Sequence, residues 1–571
     1  MNFRVFIASC GALQATMLAA PSASAQSVPP YNIGDAVRQA EESRQAPPAR
    51  PAAAPVLPRL AEPQLTLADK ETLLVRKFEL EGPRFIDEAE TREILAPYEN
   101  RKLTLAEIYA AADKITTLYR SKGYLVAKVY VPAQDARRGV LRFKLVPGRY
   151  GAIAVKNESL VADEFLRNVI DGARDEAPLI HKDELERAML LVSDLPGAGA
   201  PRIAISPGQK PETSDLLFTV PEGRRFEGYL LGDNFGSPFT GRDRLTGGVS
   251  VNSPLGYGDR LSASGIVSEH ANLANGRVAY SFPLGHDGLR AEVGAFRTTY
   301  ALTGVYKDLD ATGSAYAVTA TLTYALKRQR DESIYVWTNF THKWLNDRIA
   351  GSSTADRTIA LGTVAVTRDT AQSLFGLPLT TSATLSFTAG YVDFADPTQK
   401  AANIAGADTA GNYYRINLAL NSIVALNEKL SLSTSLKAQK SLVGNLDSSE
   451  QMSVAGFWGV RSYDEGLAGD SAYVVTPELK YALPEFYGYR HSIGLFTDVG
   501  AAWLENGSYT TTQKSYTQLN DVGLGYYATY EYSSGRFLLM KGQVAHTYGS
   551  HDGAASYDRR TKGLVQVGLT F

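Results

Sequence analysis

From about Arg225 to Phe571 the chain alternates apolar and polar residues with a period of two. Leu385, Phe387, Ala389 and Tyr391 interleave with Thr384, Ser386 and Thr388. Ile416, Leu418 and Leu420 interleave with Asn417 and Asn421, and Leu430, Leu432 and Leu436 with Ser431, Ser433 and Lys437. Successive side chains of a strand point to opposite faces, so the pattern predicts strands with one apolar and one polar face. If the apolar face meets lipid, they form a transmembrane antiparallel β-barrel. At about ten residues per spanning strand plus loops, the stretch can hold about sixteen strands. At its end Val565, Val567, Leu569 and Phe571 alternate with Gln566, Gly568 and Thr570, while Leu564 breaks the pattern. A soluble β-sandwich or propeller is the competing architecture. It explains neither a terminal aromatic nor the lack of a blade-length repeat.

Ahead of the barrel, residues 72–150 and 151–222 read as two small α+β modules with one order, β-α-α-β-β. In the first, Val75 to Leu80 is a strand ending at Gly82, and Asp87 to Leu95 is a helix. Thr104 and Glu107 form a capping box for a helix with Ile108, Ala111, Ile115 and Leu118 on one face. Strands follow at Leu125–Val131 and Val140–Val146. The second module runs through Ile153–Lys156, helices near Ala162–Ile170 and Lys182–Val192, and strands at Arg202–Ile205 and Leu216–Val220. Within residues 26–46, Tyr31 to Gln45 reads as a short amphipathic helix. Ile33, Val37 and Ala40 share a face, with Arg38, Glu41 and Arg44 elsewhere. Residues 47–71 carry Pro47, Pro48, Pro51, Pro55 and Pro58 and read as an extended, semi-rigid linker.

The first residues change the compartment. Arg4, an apolar run from Val5 to Ala20, and Ala23-Ser24-Ala25 have the form of a secretory signal, residues 1–25, cleaved before Gln26. The only cysteine, Cys10, lies inside it, so the exported chain has no thiol chemistry. The 571 residues have a mean hydropathy of −0.16. No stretch past the signal approaches the roughly 20 apolar residues of a membrane helix. Abundant Gly (50) and Tyr (31) suit strands with glycine turns and aromatic girdles. A net charge of −2 gives no reason to expect nucleic-acid binding. The seven histidines are scattered, and neither G-x-S-x-G nor G-x-x-x-x-G-K occurs. No enzyme activity, metal or cofactor is expected.

The most specific signal is a series of motifs in order. Ser449-Glu450-Gln451 opens a segment ending Gly459-Val460-Arg461-Ser462-Tyr463-Asp464-Glu465-Gly466, and Phe496-Thr497-Asp498-Val499-Gly500 follows. Earlier come Asp233-Asn234-Phe235-Gly236, Thr240-Gly241, Asn252-Ser253-Pro254-Leu255-Gly256, Gly258-Asp259 and Tyr280-Ser281-Phe282-Pro283-Leu284-Gly285. Ser193-Asp194-Leu195-Pro196-Gly197 contains an LPG turn. Together they resemble the TpsB family, the outer-membrane transporters of two-partner secretion, from the signal to Phe571. The resemblance implies two periplasmic POTRA (polypeptide-transport-associated) domains, an N-terminal helix that plugs the pore, and a sixteen-stranded barrel in a Gram-negative outer membrane. It also implies that Gly459 to Tyr463 fold back into the lumen, with Asp498, between Phe496 and Gly500, holding Arg461. The competing reading is a solvated loop arginine. The family usually has Gly where this chain has Ser462, which implies a differently shaped loop tip.

The implied partners are a large secreted β-helical client, outer-membrane lipid and lipopolysaccharide, and the barrel-assembly machinery, which reads Leu569 and Phe571. The implied function is a translocation pore whose POTRA domains capture unfolded client. The alternatives are an assembly factor of the same superfamily and a passive porin. A porin needs no client-binding modules.

Overall fold

The computed structural model describes residues 31–43, 72–172 and 179–571, apart from 84, 133, 135, 137, 465, 509–514 and 549–560. Ala23, Ala25 and the Pro-rich stretch 47–71 lie outside the described residues.

Sixteen antiparallel strands close into a barrel, from Phe226–Asp233 to Thr561–Thr570. These two close it, with Thr570 opposite Tyr229 and Gln566 opposite Asp233. Phe571 extends the ladder, exchanging two 2.9 Å backbone hydrogen bonds with Gly228. Its ring fills the space beside Gly228, where a Cβ would lie 2.4 Å from it. Outward residues such as Val278, Val293, Phe340, Val364 and Leu385 are exposed, as a lipid-facing band requires. Tyr316, Trp344, Tyr391, Tyr414 and Tyr516 are exposed near one end of the barrel, and Tyr481, Phe486, Tyr487 and Tyr532 near the other. Such girdles sit where lipid meets water.

The inward face departs from the alternating pattern. Phe296, Tyr300, Leu345, Ile359, Leu361, Val392 and Phe394 are buried inside the barrel. They line a seat for the helix Ile33–Ser43, which lies in the lumen and puts Tyr31, Ile33, Ala36 and Val37 against them. Its polar face is covered too: Arg38 and Gln39 are buried. A helix with an apolar stripe ordinarily leaves its other side to solvent; inside a barrel there is wall all round. Asn32 caps it, accepting from Gly34 N–H at 2.8 Å while its own N–H reaches Asp35 at 2.9 Å.

The first α+β module is more broken than its hydrophobic run implies. Thr72–Val75 pairs antiparallel with Arg101–Thr104, and Lys77–Glu81 pairs parallel with Val140–Val146. The break falls at Arg76, where the backbone N–H groups of Arg76 and Lys77 both reach Gly139 O. Only Lys128–Tyr130 of the expected 125–131 strand forms; Leu125 and Val126 instead pack against the second module's core. Helix Leu105–Ser121 carries the complete Thr104/Glu107 capping box. The second module has Thr213–Val220 central, between Arg149–Asn157 and Arg202–Pro207, with helices Asp163–Gly172 and Lys182–Ser193. It is bolted to the barrel mouth. Arg328 forks onto Asp194 with both contacts at 2.8 Å, and Ala162 N–H donates to Gly256 O at 2.8 Å. Leu195 of the LPG turn lies against Gly258, which has φ +69 and no room for a Cβ.

Candidate functional site

The segment 442–470 joins the strands Leu430–Ser441 and Ser471–Ala482 and folds back into the lumen. Its arms, Met452–Ser453 and Ala468–Gly469, pair antiparallel. Gly459 makes the return tight: a Cβ there would lie 2.3 Å from Val454 O, and Val460 N–H donates to that same oxygen at 2.8 Å. The turn aims Arg461 at the wall. Its Nε and Nη2 donate to the two oxygens of Asp498, each at 2.8 Å, and its backbone N–H adds a third contact at 3.2 Å. The guanidinium lies 3.4 Å over the Phe496 ring, and Asp498 is fully buried. A forked, charge-assisted pair over an aromatic face is both strong and directional.

Period two explains the strand's contribution. Phe496, Asp498 and Gly500 are consecutive inward positions of Tyr489–Trp503, supplying a ring, an acid and a gap. The gap at Gly500 receives Val460, whose Cγ2 lies 3.0 Å from where a Cβ would stand. Ser462 keeps a negative φ, so the residue needs none of glycine's freedom here. Its buried N–H donates to Asp521 at 2.6 Å, and its hydroxyl accepts from Thr547 at 3.0 Å. Tyr463 is buried beside Val460 and Leu519. Asp464 takes Arg242 at 2.6 and 2.8 Å and Lys562 at 3.0 Å.

Several members of this site escaped the sequence reading. Asp521 sits directly opposite Asp498 on the next strand. The available signal was a repeat: Asp498-Val499-Gly500 recurs as Asp521-Val522-Gly523. Leu564, which interrupts the last strand's alternation, is an inward anchor packed with Phe457 and Phe235, whose rings stack at 3.6 Å. The loop's stem is also tied down. Glu450 is held by Lys343 at 2.8 Å and Arg415 at 3.0 Å, and Asp447 by Arg357 at 2.5 Å. Gln451 donates to Asp470 at 2.9 Å. Nothing in local spacing relates Glu450 to a lysine more than a hundred residues earlier.

Stem and helix meet. Ser448 Oγ donates to Asn32 at 2.6 Å, and Arg38 donates to Ser448 O at 2.5 Å. Gly34 allows this contact, since a Cβ there would lie 2.1 Å from Ser448 Oγ. Ile33 N–H donates to Asp347 at 2.8 Å, and Asp347 also takes Tyr300 OH at 2.8 Å and Arg357 at 2.9 Å. At the chain's end Leu569 lies opposite Leu230 in the closing ladder.

Comparison with known proteins supplies the context. Residues 212–525, a little more than half of the chain, match the family described as haemolysin secretion/activation protein ShlB/FhaC/HecB. Residues 73–148 match the ShlB-type POTRA domain. The chain is 28% identical over 506 residues to the heme/hemopexin transporter protein HuxB of Haemophilus influenzae strain 86-028NP, covering 86% of this chain and 88% of that one. It is 29% identical over 184 residues to the Escherichia coli outer membrane transporter CdiB, covering 32% and 31% of the two chains. The solved structure of CdiB from Escherichia coli superposes with a TM-score of 0.70 at 20% identity, covering 94% of this chain and 95% of that one. BamA from Haemophilus ducreyi, lacking POTRA domains 1–3, gives 0.52 at 14% identity, covering 88% and 100%. These structural likenesses speak to fold. The chain belongs to the haemolysin secretion/activation family ShlB/FhaC/HecB, outer-membrane β-barrel transporters with periplasmic POTRA domains.

Proposed function

We propose that this chain exports one large, β-helical partner protein across the outer membrane as an extended polypeptide. The observation that carries the reading is a lumen occupied by the helix Ile33–Ser43 and the loop 442–470, with the second α+β module fixed to the barrel mouth. In this reading residues 72–150 and 151–222 are both POTRA domains. Unfolded client meets them first, adding as a strand to an open edge such as Arg202–Pro207. Only an extended chain can use the unpaired backbone groups of such an edge. The helix then leaves the lumen, the client passes, and folding at the surface drives transport. The Arg461–Asp498 pair is a conformational lock in this cycle. Leu569 and Phe571 serve as the signal that barrel-assembly machinery reads.

The assembly-factor alternative draws on the likeness to BamA, but a plugged lumen suits passage through the pore better than insertion beside it. The test is secretion in cells carrying this chain and an exported β-helical protein encoded beside it. Export that stops on deleting this chain, with other outer-membrane barrels at normal levels, supports the pore. Loss of other barrels favours assembly, and export that persists without the chain ends the proposal.

A further inference from the structure

On the barrel's outward face Arg368 is paired with Glu332 at 2.6 Å, and Lys440 with Glu505 at 2.7 Å. Arg297 differs from both. It is exposed on the outward side of Leu289–Ala301, its guanidinium lies over the Tyr316 ring at 5.2 Å, and it meets no carboxylate among the described residues. Its outward neighbours, Gly276 and Tyr316 across the strands and Ala295 and Thr299 along its own, are all uncharged. An arginine facing lipid is costly unless an anion meets it. A groove runs from Arg297 across the outer wall. Its floor is one cross-strand row: Arg297 is opposite Gly276, Gly276 opposite Gly265, Gly265 opposite Gly247, and Gly247 opposite Leu230. Leu245 and Val267 stand along one side. In the other direction the row continues to Tyr316 and Trp344 of the aromatic girdle. The strand Leu289–Ala301 starts beside the second module, where Arg187 donates to Asp287 O at 2.7 Å, so Arg297 lies toward the cell-surface end. Leu230 lies in the middle of Phe226–Asp233. The groove therefore runs obliquely from the surface side down into the bilayer, as a row across tilted strands does.

A free cation at the surface end and an apolar lane below it fit a phosphorylated lipid, head group up and acyl chain down. We propose that this groove binds lipopolysaccharide of the surface leaflet, with a glucosamine phosphate on Arg297 and an acyl chain lying along Gly276, Gly265 and Gly247 to Leu230. The planar fork of a guanidinium matches two phosphate oxygens, and the Tyr316 ring behind it fixes its position. The place of Arg297 in the girdle row at the surface end selects lipopolysaccharide over phospholipid, since that leaflet is built of it.

The test uses the full chain purified in detergent, with lipopolysaccharide lacking O-antigen as the probe and bound lipid counted by native mass spectrometry. Heat-modified gel mobility confirms that each variant is folded. Wild type is expected to hold the probe. Arg297→Gln should weaken binding about tenfold, the loss of one charge-assisted contact. Probe stripped of its phosphates should bind wild type just as weakly, and should not distinguish wild type from Arg297→Gln. Gly276→Leu should displace both forms of the probe. A Cβ at Gly276 meets no atom within 4 Å, so the new side chain fills the groove without disturbing the wall. Gly362→Leu, at an equally open glycine on the distant strand Ser352–Leu374, should bind as wild type does. Wild-type binding in Arg297→Gln or in Gly276→Leu overturns the proposal, as does a loss in Gly362→Leu equal to that in Gly276→Leu. Competition by phosphatidylglycerol as strong as that by lipopolysaccharide would assign the groove to phospholipid and overturns it too. The readout is lipid retention, so the proposed transport function stands or falls separately.

Discussion

The helix Ile33–Ser43 and the loop 442–470 share one lumen, yet the helix rests on an apolar seat and the loop hangs on buried ion pairs. The helix packs Ile33, Ala36, Val37 and the preceding Tyr31 onto wall residues and adds a few directed bonds, at its start and from Arg38. Apolar burial is non-directional and scales with area, so such a piece can leave whole and return. The loop is joined to strands at both ends, and its tip and stem carry Arg461, Asp447 and Glu450 to fixed partners. Separating a buried pair strands a charge on each side, so the loop has few favourable positions between seated and released. In the proposed cycle the helix is the part suited to departure, and the loop is the part suited to switching.

Breaking the loop's anchor should have the largest effect. Arg461→Ala leaves Asp498 buried without its partner, which costs about 3–5 kcal/mol of loop seating. Export of the client should fall sharply while the barrel stays folded in the membrane, as heat-modified gel mobility would show. Asp498→Ala should match it. Wild-type export in both variants would separate the pair from transport.

Removing the helix should change the pore more than the fold. Deletion of residues 31–45 is expected to raise single-channel conductance in planar bilayers, with the barrel still assembled. Unchanged conductance would mean that the helix does not obstruct ions. A finer cut is Gly34→Val, which drives a side chain into Ser448 Oγ and the Ser449 backbone, 2.1 and 2.5 Å from its Cβ. Conductance should then lie between wild type and the deletion. Wild-type conductance in this variant would show that the helix can shift its seat without opening the pore.

The smallest effects belong to single neutral bonds. Tyr300→Phe removes one hydroxyl from Asp347 and should loosen the helix by about 1 kcal/mol, seen as more frequent brief openings. Outside the lumen, Thr104→Ala removes a helix cap at about 1 kcal/mol and should leave conductance untouched. Bonds from Thr104 hold the Glu107 carboxyl below its usual range. Glu107's share of the capping box is therefore complete above the ordinary glutamate range and fades as pH falls through the lowered value. Exchange of helix Leu105–Ser121 in wild type and Thr104→Ala measures both.

The chain alone determined whatever repeats along it. Period-two alternation marked the strands and their lipid face, 3.6-residue spacing with Thr104 and Glu107 marked a helix, and the motifs around Arg461 and Asp498 marked a family. Each is a local pattern, because backbone geometry puts residues two or three to four apart on one face. The tertiary structure decided the rest. It put both faces of an amphipathic helix under cover, since a barrel wall surrounds it. It turned Leu564 from an interruption into an anchor for Phe457, split the first strand at Arg76, and gave Glu450 to Lys343 and Arg415. It also set Asp521 beside Asp498, where two copies of Asp-Val-Gly become neighbours only because adjacent strands pair in that register. Such contacts join positions tens to hundreds of residues apart, and closure of the barrel, which no local pattern encodes, brings them together.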